Sequence, residues 1–327
     1  MKTIALFNNK GGVGKTTLVY HLAFAFERMG RRVLVADFDP QSNLTALCLD
    51  EDRLEALWSV EEARRATVAG VVYPIKEELG VQRDVEVEAV SRRIALVVGD
   101  LALAGFEAKL AEAWPRCLEG AAPPFRAMSA LHAAVQQAGH KWGADIALID
   151  VGPNLGALNR AALLAAQWII TPLNADLFSI QGLRNLGPTL SSWREAWEQR
   201  LLRAPASMRD GLPVGNMTPA GYVVCQPAIH AGLLSMAFAR WAARVPGEYG
   251  AVVGAAPNGI DRFADDPWCL GVVKNYRSLI PLAHEARKPI FALTTADGAL
   301  GAHATAARTA GQDFVALAEA IDRRTST

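Results

Sequence analysis

The 327-residue sequence predicts an α/β fold: a mostly parallel, twisted sheet with helices on both faces. Three observations carry that expectation. Short apolar runs of strand type alternate with longer segments of helical spacing along most of the chain. A glycine-rich stretch, Lys10-Gly11-Gly12-Val13-Gly14-Lys15-Thr16-Thr17, stands between the first such run and the first helical segment. Two further apolar runs close on Asp37 and Asp150, and the carboxyl ends of parallel strands are where such sheets bind ligands.

The first run, Thr3-Ile4-Ala5-Leu6-Phe7, predicts a strand, and 18–26 predict a helix. Between them, glycines let the backbone turn its N–H groups around a phosphate, and the helix adds its positive N-terminal end. Strand, glycine-rich loop and helix in that order predict a P-loop, whose backbone over 11–17 holds the nucleotide phosphates. Lys15 is expected to reach the β- and γ-phosphates, and the Thr16 hydroxyl to sit on Mg²⁺. The usual motif begins with glycine; here that position is Asn9, and a second lysine, Lys10, follows it.

Gly30 marks the end of the first helix, and 32–37 form a buried-type strand running into Asp37-Phe38-Asp39-Pro40-Gln41-Ser42-Asn43. The bland role for these carboxylates is capping a turn or helix; the phosphate loop nearby favours a ligand role. Helices are expected over 54–65, 101–114 and 125–138, with a strand at 94–98 and a breaker cluster at 120–124. Trp58 and Trp114 are expected to pack in the core or an interface. The strand 145–150 closes on Asp150, which in P-loop NTPases orders Mg²⁺. The turn Val151-Gly152-Pro153-Asn154 is placed to sense the terminal phosphate. A helix over 158–166, a strand over 168–174 and a helix from about 180 follow. Late strands are expected at 221–225 and 270–273, with a helix over 231–244 and a Gly/Pro-rich stretch between them, and a last helix over 303–324.

Composition excludes several classes. Hydrophobic residues make up 51% and charged residues 20%, a globular balance. Lys plus Arg and Asp plus Glu number 33 each, so any nucleic-acid contact must come from a local patch. Cys48, Cys117, Cys225 and Cys269 are scattered and suggest neither a metal cluster nor a disulfide framework. Residues 1–20 lack a signal-peptide pattern, and no apolar run reaches spanning length, so a cytoplasmic location is expected.

Taken together, Lys10-Gly-Gly-Val-Gly-Lys-Thr-Thr17, Asp37-Phe-Asp-Pro-Gln-Ser-Asn43 and Ile146-Ala-Leu-Ile-Asp150 resemble the ParA/MinD group of deviant Walker A P-loop ATPases. The ParA branch is favoured by Ile169-Ile-Thr-Pro-Leu-Asn174 leading to Phe178-Ser-Ile-Gln-Gly-Leu183, by Ser278-Leu-Ile-Pro-Leu-Ala-His-Glu-Ala-Arg-Lys-Pro-Ile290 and by Phe314-Val-Ala-Leu-Ala-Glu319. The likeness covers about 1–49, 142–190 and 269–327 and implies one P-loop ATPase domain over 1–327, with less typical insertions at about 50–141, 198–220 and 226–267. Two departures accompany it: the group commonly has Asp-x-Pro-Pro where this chain has Asp150-Val-Gly-Pro-Asn154, and the late loops are longer.

The resemblance implies roles residue by residue. Lys10 would cross a nucleotide-sandwich homodimer to the other subunit's phosphates, and Gly11 would sit where two subunits approach closely. Asp39 resembles the residue that orients the attacking water, Asp37 and Asp150 would support Mg²⁺ with Thr16, and Asn174 would meet adenine. Implied function is a ParA-type partition ATPase that dimerises on ATP, binds DNA without sequence preference and hydrolyses slowly. A stimulating partner, ParB-like or a cargo adaptor, then drives its release, and the ATPase is nucleoid-associated while DNA binding holds. Lys274, Arg277, Arg287 and Lys288, with Arg323 and Arg324, are the candidate DNA contacts. Only nine residues precede Lys10, so the form with a leading helix-turn-helix is not expected. The alternatives are a DNA-independent switch in protein-complex positioning or defence, and a MinD-like membrane-cycling ATPase. The latter needs a basic amphipathic tail that Asp322-Arg-Arg-Thr-Ser-Thr327 does not provide, so no membrane partner is expected.

Overall fold

The computed structural model describes residues 1–59, 65–225, 229–230, 233–234, 236–255, 259–260, 262–274, 276 and 278–326. Strands β1 (Lys2–Leu6), β2 (Val33–Asp37), β4 (Ile94–Val97), β5 (Ile146–Asp150), β6 (Trp168–Leu173), β7 (Thr218–Cys225) and β10 (Cys269–Val273) pair in parallel. A short edge strand, β3 (Glu88–Ala89), pairs antiparallel to β4. Among the described residues the order is β10-β7-β6-β1-β5-β2-β4-β3. Their near-continuous apolar runs follow from burial on both faces.

That order builds the site. β5 lies between β1 and β2, with Asp150 level with both Leu6 and Asp37. The loop after β1 and the two aspartates therefore meet at one carboxyl edge. Pro172 sits in β6 beyond the residues paired with β1, so its missing N–H leaves no gap in that ladder. Its carbonyl instead accepts the Asn8 side-chain amide at 2.8 Å, fixing the entry to the glycine-rich loop.

One face of the sheet is covered by α1 (Lys15–Arg28), α2 (Asn43–Cys48), α3 (Glu51–Ser59), α11 (Ile280–Ala286) and α12 (Ala302–Arg324), around a core that includes Leu18, Phe26, Leu44, Leu57 and Phe314. The other face carries α4 (Val68–Lys76), α5 (Glu107–Arg116), α6 (Ala122–Trp142), α7 (Ala157–Leu164), α8 (Leu177–Leu201), α9 (Met236–Ala242) and α10 (Val245–Val252).

Several expectations are corrected. Residues 101–106 form a 3₁₀ segment, because the Asp100 carboxylate accepts the Ala102 N–H at 2.8 Å and tightens that turn before α5 begins. Helix α4 was not legible, because its Val-Ala-Gly-Val-Val start reads as a strand; Thr67 caps it. Helix α8 begins at Leu177, where the Asp176 carboxylate caps it through the Ser179 N–H at 2.8 Å. Of the helix expected over 231–244, residues 236–242 form α9, whereas 233–234 form β9 (Leu233–Leu234), paired with β8 (Ile229–His230). The Gly/Pro-rich stretch holds α10, which tolerates Pro246 in its first turn. Residues 60–64 of the helix expected over 54–65, and 231–232 and 235 of that expected over 231–244, lie outside the described residues.

His21 ties α1 to the C-terminal segment. Its ring stacks on Phe314 at 4.7 Å; Nδ1–H donates to the Thr17 carbonyl at 2.7 Å, and Nε2 accepts the Ile290 N–H at 3.1 Å. That pattern requires a neutral ring, and burial, aided by His284, pushes its pKa down to about 4 from 6.5. The unfolded chain therefore binds a proton first as pH falls, and stability held above pH 6.5 is lost toward pH 4. The loss from His21 should be about 2 kcal/mol at pH 5. Thermal melts should show His21→Gln less stable than wild type at pH 7, with that gap narrowing at pH 5. A gap constant with pH would refute the neutral-ring role.

Candidate nucleotide site

The loop between β1 and α1 is shaped by Gly12 and Gly14, whose φ values of +72° and +85° strain any residue with a Cβ. Helix α1 opens at Lys15 with no side chain capping its N–H groups, which leaves its positive end facing the loop. Val13 is buried in the core and anchors the loop. The buried Lys15 ammonium bends back over the loop and donates to the carbonyls of Asn8 and Lys10, each at 3.2 Å. Burial lowers its pKa, and Asp150 and Asp39 oppose that shift.

The loop floors an open cleft of ≈ 700 Å³. Gly11, Gly12, Gly14, Lys15, Thr16 and Thr17 line one side, with Asp39, Gln41 and Pro153 beside them. Leu47, Glu51 and Leu54 of the α2–α3 region form a second wall, and His284 and Arg287 close the rim. A Cβ on Gly11 would come within 3.9 Å of the Pro153 ring, so the loop and the 151–154 turn already lie close.

Behind the cleft, Asp37 and Asp150 are fully buried side by side. Burial raises both pKa values well above the carboxylate range; Asp150 adds to the shift on Asp37, and Asp39 to that on Asp150. Asp37 Oδ1, both Asp150 carboxylate oxygens and the Ser42 hydroxyl have no hydrogen-bond partner among the described residues. Orphaned buried oxygens beside a threonine hydroxyl suit a hard, oxygen-liganded cation, so Thr16, Asp37 and Asp150 fit Mg²⁺.

Asp39 stands at the cleft, where its Oδ1 accepts the Gln41 N–H at 3.0 Å, and a Cβ on Gly152 would lie 3.4 Å from the same oxygen. The 151–154 turn is clamped by Asn159, whose amide donates to the carbonyls of Gly152 at 2.8 Å and Asn154 at 2.7 Å. Glu107 caps the helix behind it through the Ala157 and Leu158 N–H groups. Neither Asn159 nor Glu107 carries a sequence signal that singles it out.

Lys10 pairs with Asp176 and lies 5.8 Å from the ring of the exposed Phe178. Asn174 does not line the cleft; it follows β6, where its carbonyl accepts the Asp176 N–H at 2.9 Å and its buried Oδ1 has no partner among the described residues. Among the basic candidates, Lys274 pairs with Asp313 at 3.3 Å and Lys288 with Asp297 at 2.7 Å. Arg287, in left-handed conformation at the end of α11, is brought to the nucleotide cleft. Arg323 pairs with Glu319 at 3.8 Å, Arg324 lies over Trp268 at 4.6 Å, and Arg277 lies outside the described residues. No helix among the described residues is long and apolar enough to cross a membrane.

A family model described as an AAA domain matches residues 1–202. Protein IncC of Escherichia coli is 32% identical over 195 residues, covering 60% of this chain and 47% of its own length. The chromosome-partitioning ATPase Soj of Thermus thermophilus is 30% identical over 214 residues, covering 64% of this chain and 71% of its own. The chain thus spans about half the length of IncC. The crystal structure of protein DIP2308 from Corynebacterium diphtheriae superposes with a TM-score of 0.74 at 23% identity, covering 100% of this chain and 99% of that one, a likeness of fold.

Proposed function

Because the chain belongs to the ParA/MinD-type family of P-loop ATPases, we propose that it is a cytoplasmic, ParA-type switch. In this reading ATP joins two copies, the dimer binds DNA non-specifically, and slow hydrolysis, stimulated by a ParB-like or cargo-adaptor partner, releases it. The observation that carries the reading is the pair of lysines at one phosphate loop. Lys15 is buried within its own loop, whereas Lys10 is turned away from the cleft onto a pairing with Asp176 that can be exchanged.

The chemistry follows from the residues. The loop N–H groups and Lys15 hold the phosphates and disperse their charge. Thr16, Asp37 and Asp150 would hold Mg²⁺, which when bound would supply neutralisation of the phosphate charge. Asp39, fixed by its turn beside Gly152, positions the attacking water. Lys10 is the group that a second subunit delivers. The half-buried Lys10–Asp176 pair matches one ammonium to one carboxylate, whereas a triphosphate offers several charged oxygens to the same ammonium, so a partner's triphosphate displaces Asp176. Leu177 and Phe178, exposed beside that pair, give the dimer apolar surface to bury.

A DNA-independent switch is the second reading, favoured by the carboxylate partners of Lys274 and Lys288. Retention of the protein with ATP and Mg²⁺ on plain duplex DNA separates the two. Partition predicts tight ATP-dependent retention whose salt dependence steepens by roughly 0.9 log unit per phosphate contact. It also predicts loss of retention, with dimerisation intact, when Arg277 and Lys288 are both changed to glutamate. No retention at low salt would overturn the DNA-binding reading and leave the DNA-independent switch.

A further inference from the structure

We propose that Trp58 is a positioning residue for the magnesium carboxylate, acting through a relay of three hydrogen bonds that ends on Asp37. The inference rests on the ATPase reading above and goes beyond it. The Trp58 indole N–H donates to the Gly99 carbonyl at 3.2 Å. The Gly99 N–H donates to the Thr45 hydroxyl at 2.8 Å, and that hydroxyl donates to Asp37 Oδ2 at 2.7 Å. The Thr45 N–H reaches the same oxygen at 2.8 Å.

The relay holds one oxygen of Asp37 and leaves the other free. Oδ2 takes both Thr45 donors, so Oδ1, which has no partner among the described residues, is the oxygen left for the cation or its water. The Thr45 hydroxyl has one proton to give; because the Gly99 N–H occupies its acceptor side, that proton is committed to Asp37. Gly99 must approach very closely to do this. A Cβ there would fall 2.7 Å from Asp37 Oδ2 and 2.9 Å from the Ser42 hydroxyl, so only glycine fits. Its position then depends on what holds its carbonyl, and that is Trp58.

Trp58 belongs to α3, the helix whose Glu51 and Leu54 form a wall of the cleft. One helix therefore touches the cleft at its start and the Asp37 support at its end. Nucleotide seated against that wall and cation held by Asp37 should favour each other through α3.

The test is calorimetric titration of ADP at graded Mg²⁺, and again in EDTA, on wild type, Trp58→Phe, Thr45→Val and Thr45→Ser. Trp58→Phe keeps an aromatic ring and removes the donor. It should raise the Mg²⁺ concentration for half-maximal binding by roughly threefold to tenfold. Thr45→Val should raise it by about tenfold or more, and Thr45→Ser should restore it. ADP affinity in EDTA should be unchanged throughout, since the phosphate loop is untouched. A Mg²⁺ midpoint in Trp58→Phe equal to wild type overturns the relay, even if the variant melts at a lower temperature. Wild type binding ADP with no Mg²⁺ dependence would instead overturn the metal site itself, and the relay with it.

Discussion

Lys15→Ala is expected to abolish nucleotide binding, lowering affinity for ATP by roughly 100-fold or more. The size follows from burial. Lys15 is 7% exposed and is held by carbonyls of its own loop, so water cannot replace it when the phosphates arrive. Removing it leaves a multiply charged ligand short of a charge-assisted partner in a shielded cleft, and leaves the carboxylates of Asp39 and Asp150 uncompensated nearby. The variant should fold, because α1 still buries Leu18, Val19, Leu22 and Phe26 beneath it. Equilibrium binding of a fluorescent ATP analogue checks this; wild-type affinity in Lys15→Ala would remove the basis of the site.

The second large effect concerns Lys10. Lys10→Ala should bind ATP as one copy with near wild-type affinity and fail to dimerise. Lys10 does not line the cleft of its own chain; its ammonium is turned to Asp176, so the loss falls on the partner's nucleotide and not its own. Binding and dimerisation would thus separate in one variant, which no defect of folding or of the phosphate loop does.

Much of the fold and of the glycine-rich loop's shape was legible because both rest on local chemistry. The strands bearing Asp37 and Asp150 are buried on both faces and read as apolar runs, and the glycine pattern of the loop reports backbone angles directly. Less legible were contacts set by strand order. Nothing in the spacing of Trp58, Gly99 and Thr45 shows that they converge on Asp37; β4 must first be laid against β2. Arg287 reads as a surface cation, yet the left-handed end of α11 brings it to the cleft. Helix α4 was hidden because its β-branched start is buried by tertiary packing, which outweighs its weak helical propensity. Asp176 looked like part of a loop, and its double role as helix cap and holder of Lys10 needed both elements in place.

The central claim, that ATP drives two copies together through Lys10, is tested most directly by light scattering after size exclusion. Wild type and Lys10→Ala should be compared with ADP and with a non-hydrolysable ATP analogue, both with Mg²⁺. The account predicts the single-chain mass for both proteins with ADP, and twice that mass for wild type alone with the analogue. A dimer of Lys10→Ala that forms with the analogue as readily as wild type would contradict it.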